Sequence, residues 1–534
     1  MGLVEGMTRR AIVLACAAAL LLAAAPARAA DWDAEGFITP PGEASFELDG
    51  AVDAAGDGFF AWRGPLHTGP GPGPTTSDFR YRARLRGGPF GDIRTLPADN
   101  EEPTEIAGAA NGDVVMAWRE RTDSQSLASP SRVLKAAIRP AGGGFANAQT
   151  IYEGDPAGSV CWVNTGIAPN GEAVVLFGVT AEAGDVGRCL PHAAVRRPGE
   201  DRFGDAMRIS DVAADYRPQI AFDGQGNALV AWRGPNTTTV KVARHGAGAG
   251  FEQLPDVAVT GETVPRLGGP LVLRVSQPTG RAILGFPTAA DGDRVRVGGA
   301  VGSVAGGFNP GEVLSGPADL SSGQLGSYFD GGAGGEGTLA LTWRSSGRGR
   351  TRAQAAYVGP GEANLTSART ESLSGYSIQS PQMVVTEEGR VTVTWLRLLG
   401  NGARAVEAAS AEDGRFGVAQ RLSSGDVLPR PRPLIAVNSR GEQFVAWNSR
   451  DPRPPISYSV IESAKASSRT GRFGRTLDVL RARTNINESA GEAKLYRAAN
   501  GAMLAAVRRD RGEPDAPFFG GSPYAWDLRS YAER

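Results

Sequence analysis

The sequence predicts an all-β protein, a β-propeller of four-stranded antiparallel blades. Three observations carry that expectation. One short unit recurs at a near-constant period, each period reads as four extended stretches, and the two ends of the chain each hold part of one period. The unit is clearest as "DGQGNALVAWR" at 223–233, where a Gly/Asn turn leads into an apolar run ending in Trp and Arg. Aligning the turn glycines yields nine copies. Their Trp falls at Trp62, Trp118, Trp232, Trp343, Trp395 and Trp447, while Phe177, Phe286 and Val507 hold its place in the other three. Successive spacings are 56, 59, 55, 54, 57, 52, 52 and 60 residues, a period that marks an array of supersecondary units.

The chain opens on an export signal. Arg9 and Arg10 precede an apolar run, and Ala27-Arg28-Ala29 supplies a small-x-small cleavage site, so residues 1–29 read as a signal peptide and 30–534 as the propeller. The run is too short and Ala-rich to span a bilayer, and no later stretch reaches the roughly twenty apolar residues that a membrane helix needs. A twin-Arg route and a general secretory route both fit the Arg pair. Next comes "DWDAEGFITPP", a stray fourth strand preceding the first complete unit.

Inside each unit the four stretches can be followed in order. Around Trp232 they are "PQIAFD", then "NALVAWR", apolar on both faces, then the alternating "TVKVAR", then "EQLPDVAV" after a Gly-rich turn ending in Phe251. The third stretch and its turn recur up to Phe145, Phe203 and Phe416. At the end of a buried second strand, the repeated Trp fills the wedge between neighbouring blades; the competing role is a ring of platforms for sugar stacking. The chain closes on "AKLYRAA", "AMLAAVRR" and "PYAWDLRSY", three strands without a fourth. The N-terminal strand completes that last blade and removes an exposed edge. Nine units exceed the usual four to eight. They fit a nine-bladed ring, an eight-bladed ring with one unit outside it, or two smaller rings, and the shared closure of the ends favours one ring.

Composition narrows the partners. Loss of the leader, which holds Glu5, Arg9, Arg10 and Arg28, moves the formal charge from -1 to -3, so no bulk field draws nucleic acid or an anionic membrane. The second-to-third and fourth-to-first connections vary in length while the opposite turns stay nearly constant. Loop variation on one face of a rigid scaffold marks that face for a ligand, here an extracellular glycan, cell-wall polymer or protein. Arg63, Arg119, Arg233, Arg344 and Arg397 follow the Trp positions; a partial guanidinium ring there would grip carboxylated or phosphorylated glycans, unless each arginine pairs locally.

Catalytic signatures are sparse. The chain lacks a Gly-x-Ser-x-Gly elbow, a His-Glu-x-x-His pair and a phosphate-cradling loop. His67, His192 and His245 read as scattered loop residues, and no cofactor or metal set is expected. "DGQGN" lacks the alternating acids of a calcium loop and reads as a positive-φ turn. The enzymatic alternative, a glycoside hydrolase or lyase, requires two carboxylates facing each other in the central channel. A purely structural or adhesive surface protein is the third possibility.

The pattern "AFDGQGNALVAWR…VARHGAGAGF" resembles secreted β-propeller repeat proteins of GC-rich Gram-positive bacteria, over nearly the whole chain after the leader. That resemblance implies fold and export rather than an activity. Sialidase-type propellers are similar in being exported and aromatic-rich. Their Ser-x-Asp-x-Gly-x-x-Trp box, however, lies between third and fourth strands, whereas the Asp-Gly here lies between first and second, so no catalytic residue carries over.

Cys161 and Cys189 remain after processing, placed just before a first and a third strand of one blade, at the same face. In an exported chain they pair as a disulfide, worth about 3 kcal/mol in the chain-entropy picture. Thiol titration of the denatured, unreduced protein lacking its leader should therefore find no reactive thiol; two reactive thiols would exclude the bond.

Overall fold

The computed structural model describes residues 31–532 apart from 41–45, 54–55, 68–75, 86–87, 97–104, 110, 122–130, 155–157, 181–187, 216, 235–237, 260–270, 290–294, 316–328, 348–349, 366–370, 373–377, 400–401, 413–414, 424–425, 428–431, 452–457, 484–487, 498–502 and 512–523. The leader and most of the variable connections lie outside the described residues. The described strands form nine antiparallel sheets of four or five strands. In chain order these blades span residues 46–96, 105–153, 160–208, 219–257, 272–313, 329–372, 378–421 and 426–483. The ninth joins 488–532 to 31–37. Each complete blade is a meander whose second and third strands are central. Blades 5 and 7 split the fourth strand into two short pieces, and blade 8 splits its first.

The second strand dictates everything around it. In blade 3, Ala173–Thr180 is buried at every residue, as is Ala228–Arg233 in blade 4. A strand apolar on both faces needs cover on both sides, which only the two neighbouring blades can supply. Nine buried clusters accordingly sit at the junctions, each drawing residues from two successive blades. The cluster holding Leu48, Phe60, Trp62 and Ala506 joins the last blade to the first. The nine first strands also touch one another in unbroken cyclic order, from 46–52 round to 488–497 and back. The ring is thus single and closed, with the first strands as its axial wall; neither an outlying unit nor a pair of rings is present. Phe177 and Phe286, two of the three copies without Trp, sit in clusters that join blade 2 to 3 and blade 4 to 5.

The repeated indoles are core. Trp62, Trp118, Trp232, Trp343, Trp395 and Trp447 are each 0 or 1% exposed, which leaves no ring face for a sugar. A buried indole N–H still needs an acceptor. Cross-strand partners supply it in three blades, where Nε1 donates to Gln354 Oε1 from Trp343 at 2.9 Å, to Glu407 Oε2 from Trp395 at 3.2 Å and to Glu462 Oε2 from Trp447 at 2.8 Å. Trp118 donates to Glu120 at 3.1 Å and Trp232 to the Val212 carbonyl at 3.3 Å. Phe177 replaces Trp in blade 3, where a first-strand indole, Trp162, lies over Gly178; a Cβ there would come within 2.5 Å of that ring. The side chain of Val507 lies outside the described residues.

Two links hold the scaffold shut. Asp31–Phe37 pairs antiparallel with Tyr524–Ala532, so the N-terminal strand completes the blade that the C-terminus leaves unfinished. Cys161 and Cys189 form a disulfide within blade 3. Both cysteines lie inside strands rather than just before them, in Val160–Ile167 and Cys189–Arg196. First and third strands stand two sheet spacings apart, about 9–10 Å. The register shift between Val160 and Trp162 bulges Cys161 outward, and the two Cα atoms are 6.4 Å apart. Removing residues 31–37 should lower the melting temperature by several degrees and promote association through the opened edge; an unchanged melting curve would show that the strand does not close the ring.

Candidate functional site

Side chains of the first strands reach along the axial wall from blade to blade. Asp49 accepts the Gly50 N–H at 2.8 Å, faces the Ile106 N–H of blade 2, and has Lys494 Nζ of blade 9 at 3.7 Å. In blade 6 Asp330 does the same, accepting the N–H of Gly331 at 2.8 Å and of Met383 in blade 7 at 3.1 Å. Asn164 donates to the Pro218 carbonyl at 3.2 Å, and Arg274 donates to the Gly331 carbonyl at 3.0 Å. Glu105 departs from this pattern. Its Oε1 accepts from Arg217 Nη1 at 2.7 Å, which links blade 2 to the segment just before blade 4 and passes over blade 3 altogether.

This arrangement gathers Asp49, Glu105, Lys494 and Arg217 at one sector of the wall. Burial pushes the Asp49 carboxyl above the usual carboxylate range, against the pull of Lys494 and the backbone N–H groups. Burial also raises Glu105, the Asp49 charge raises it further, and Arg217 and Lys494 oppose both. Arg217 acts on Arg119 as well: burial and then the Arg217 charge bring the Arg119 guanidinium down to about 10. The sector therefore holds two cations against two carboxylates that release their protons late, with the buried Arg119 guanidinium near Arg217. Perturbed groups that converge make this sector a candidate functional site.

Among the described residues, the arginines that follow the repeat Trp are held by separate local partners. Arg119 donates through Nη1 to the carbonyls of Val160 at 2.7 Å and Cys161 at 2.9 Å, tying blade 2 to blade 3. Arg233 is 4% exposed and grips both carboxylate oxygens of Asp215 at 3.1 Å through Nε. Arg397 donates to Glu407 at 2.8 Å, the carboxylate that also caps Trp395. Arg344 is half-buried with its own partners, and the Arg63 side chain lies outside the described residues. Local pairing claims the described members, and Arg119 lies close enough to Arg217 for their charges to interact.

The opposite face is built from the constant turns. In several blades the residue after the turn glycine reaches the next blade: Asp113 accepts from Arg196 at 3.0 Å, Glu172 accepts from His245 Nε2 at 2.7 Å, and Arg390 donates to the Arg469 carbonyl at 2.9 Å. His245 is therefore a fully buried strand residue rather than a loop histidine. His192 also lies in a third strand, stacked on Phe177 at 5.6 Å between centroids, and burial lowers its pKa. His67 has no described side chain. The "DGQGN" turn works as a turn. Gly226 adopts φ 95°, and the Asp223 carboxylate accepts the N–H groups of Gln225 and Asn227, each at 2.9 Å. Among the described residues no group of three His, Cys, Asp or Glu is placed to hold a metal, and no helix is long and apolar enough to cross a membrane.

No family model and no curated protein matches the sequence. Solved structures of similar fold include a PL25 ulvan lyase, 9% identical with TM-score 0.38, covering 93% of this chain and 94% of that one. A Hadza microbial sialidase is 11% identical with TM-score 0.33, over 59% of this chain and 66% of that one. A prolyl endopeptidase is 14% identical with TM-score 0.36 over 78% of this chain, which spans about half, 53%, of that protein's length. Likeness at this level concerns the propeller fold and no activity.

The raised carboxyls fix a sign for pH dependence. Folded Asp49 and Glu105 hold protons more tightly than the unfolded chain does, so they add stability as pH falls through their folded values and withdraw it as pH rises. The Asp49→Asn/Glu105→Gln protein should flatten that mildly acidic rise in a pH series of melting temperatures. Glu105→Gln alone should change stability at neutral pH by less than about 1 kcal/mol, the range of a partly exposed ion pair.

Proposed function

We propose that this chain is an exported, non-catalytic propeller that binds an acidic extracellular glycan or cell-wall polymer at its axial wall. The observation that carries this reading is the sector where half-exposed Arg217 and Lys494 face two carboxylates, Asp49 and Glu105, that burial pushes toward protonation. Arg217 is half-exposed, and its one carboxylate partner in the sector, Glu105, is already resisted by burial. A carboxylate or sulfate on a polymer can replace Glu105 as the partner of Arg217 at little electrostatic cost, in the forked geometry that guanidinium groups favour. Export is supported by the leader pattern and by a disulfide of the kind oxidising compartments preserve.

One observation favours a second reading, a glycoside hydrolase or lyase. Asp49 and Glu105 are both pushed up and feel each other's charge, as acid and base pairs do. Against it, both carboxylates are engaged by cations, and His192 and His245 are committed elsewhere.

A glycan array probed with the protein lacking residues 1–29 should retain acidic polymers over neutral ones, with retention falling as salt rises. Arg217→Ala should weaken it about tenfold, the loss of one charge-assisted contact. Retention that Arg217→Ala leaves unchanged would refute the axial site. Shortened or unsaturated products from the retained polymers would replace binding with cleavage.

A further inference from the structure

We propose that the cleft between blades 4 and 5, on the constant-turn face, is a separate binding site for a neutral saccharide. In four blades the residue that follows the turn glycine ties this face to the next blade. Asp113 crosses from blade 2 to Arg196 of blade 3, and Glu172 from blade 3 to His245 and the Gly248 N–H of blade 4. Arg281 crosses from blade 5 to the carbonyls of Gly337 and Gly359 in blade 6, and Arg390 from blade 7 to blade 8. In blade 4 the position is Asn227, and it does not cross. Its Nδ2 donates to Asp223 at 2.9 Å and its Oδ1 accepts the Ala247 N–H at 2.9 Å, both within its own blade. Where a stitch would run to the third-strand end of blade 5, a cleft of about 670 Å³ opens, bordered by Ser303 and Ala305. That volume lies within the usual range of small-ligand sites, about 300–1,000 Å³.

The lining selects the ligand class. Asp223 spends its carboxylate on the turn, accepting from Gln225, Asn227 and the Asn227 amide. Arg244 is paired with Glu252 and also donates to the Ala305 carbonyl at 2.6 Å, so the two charges offset each other. What faces the space with its polarity exposed is uncharged: the amides of Gln225 and Gln277, next to a Thr279 hydroxyl that donates to Ser276 at 2.8 Å. Beside them the half-buried ring of Phe251 packs on His245 at 4.9 Å between centroids. An anion would find the bordering guanidinium already neutralised, and an apolar ligand would strip water from amides without replacing it. A neutral polyhydroxylated molecule with an apolar face meets both the amides and the ring. The floor is firm, because the Gly224 N–H donates to the Gln277 carbonyl at 2.7 Å and fixes the two blades beneath the ligand.

The test is calorimetric titration of the protein lacking residues 1–29 with cellobiose, maltose and N,N′-diacetylchitobiose at millimolar concentration. At least one should bind saturably. Asn227→Arg places in blade 4 the residue that stands at this position in blades 5 and 7; it should fill the cleft and weaken that binding about tenfold or more. Gln277→Ala trims an exposed turn side chain, keeps the test valid if the arginine variant fails to fold, and should weaken binding in the same direction. No saturable binding by any of the three, or binding that persists in Gln277→Ala and in folded Asn227→Arg, overturns the proposal.

Discussion

Everything in this molecule depends on second strands that are apolar on both faces. Such a strand cannot rest on the surface of a sheet stack; it must lie between two covers, and each cover is itself a sheet with the same need. Burying one aliphatic side chain is worth about 1.5–3 kcal/mol, and a large aromatic buries about 150–250 Å². Open stacking would leave two such faces in water at the ends. A closed cycle of nine leaves none, and the junction between Trp62 and Ala506 is packed like the other eight. Cyclic closure is thus the solution of a solvation problem posed separately by each repeat.

The same requirement decides what the charged residues at the strand ends do. A Trp buried at the last turn of the core brings its N–H out of water, and Glu407 and Glu462 are placed opposite it to accept. Those carboxylates then need compensation of their own. Arg397 supplies it for Glu407, while Arg233 is drawn instead to Asp215. Charge near the repeat Trp is therefore part of the core's polar accounting. Charge on the axial wall is different in kind, because Asp49, Glu105, Arg217 and Lys494 pair with one another between blades rather than capping a buried indole.

The contrast explains what the sequence could disclose. Period, strand order, paired cysteines and the closing strand are local patterns or properties of the ends, and they could be read directly. The turn role of "DGQGN" was legible because Gly and Asn favour positive φ at one position. What the arginines after the Trp do was not legible, for a definite reason. Regular spacing shows that Arg119 and Arg233 occupy equivalent places, yet whether a carboxylate waits there depends on Asp215, eighteen residues before Arg233 in a connection of no fixed length. The axial sector had no linear signature at all. Its members come from the first, second and ninth blades and from the segment before the fourth, and burial, which sequence does not print, raises its two carboxyls. His245 was misplaced for a related reason, since its partner Glu172 belongs to the preceding blade.

Closure by a strand borrowed from the other end of the chain has a geometrical corollary. Asp31 sits opposite Ala532 in the register of the last sheet, so the two limits of the folded chain are immediate neighbours. Any leader, tether or tail attached at either limit leaves the ring from one common point on its rim. Tyr531 pairs with Met503 at the start of the second strand, so that common point lies at the constant-turn end of the blade, and an attachment there would turn the varied loops away from it.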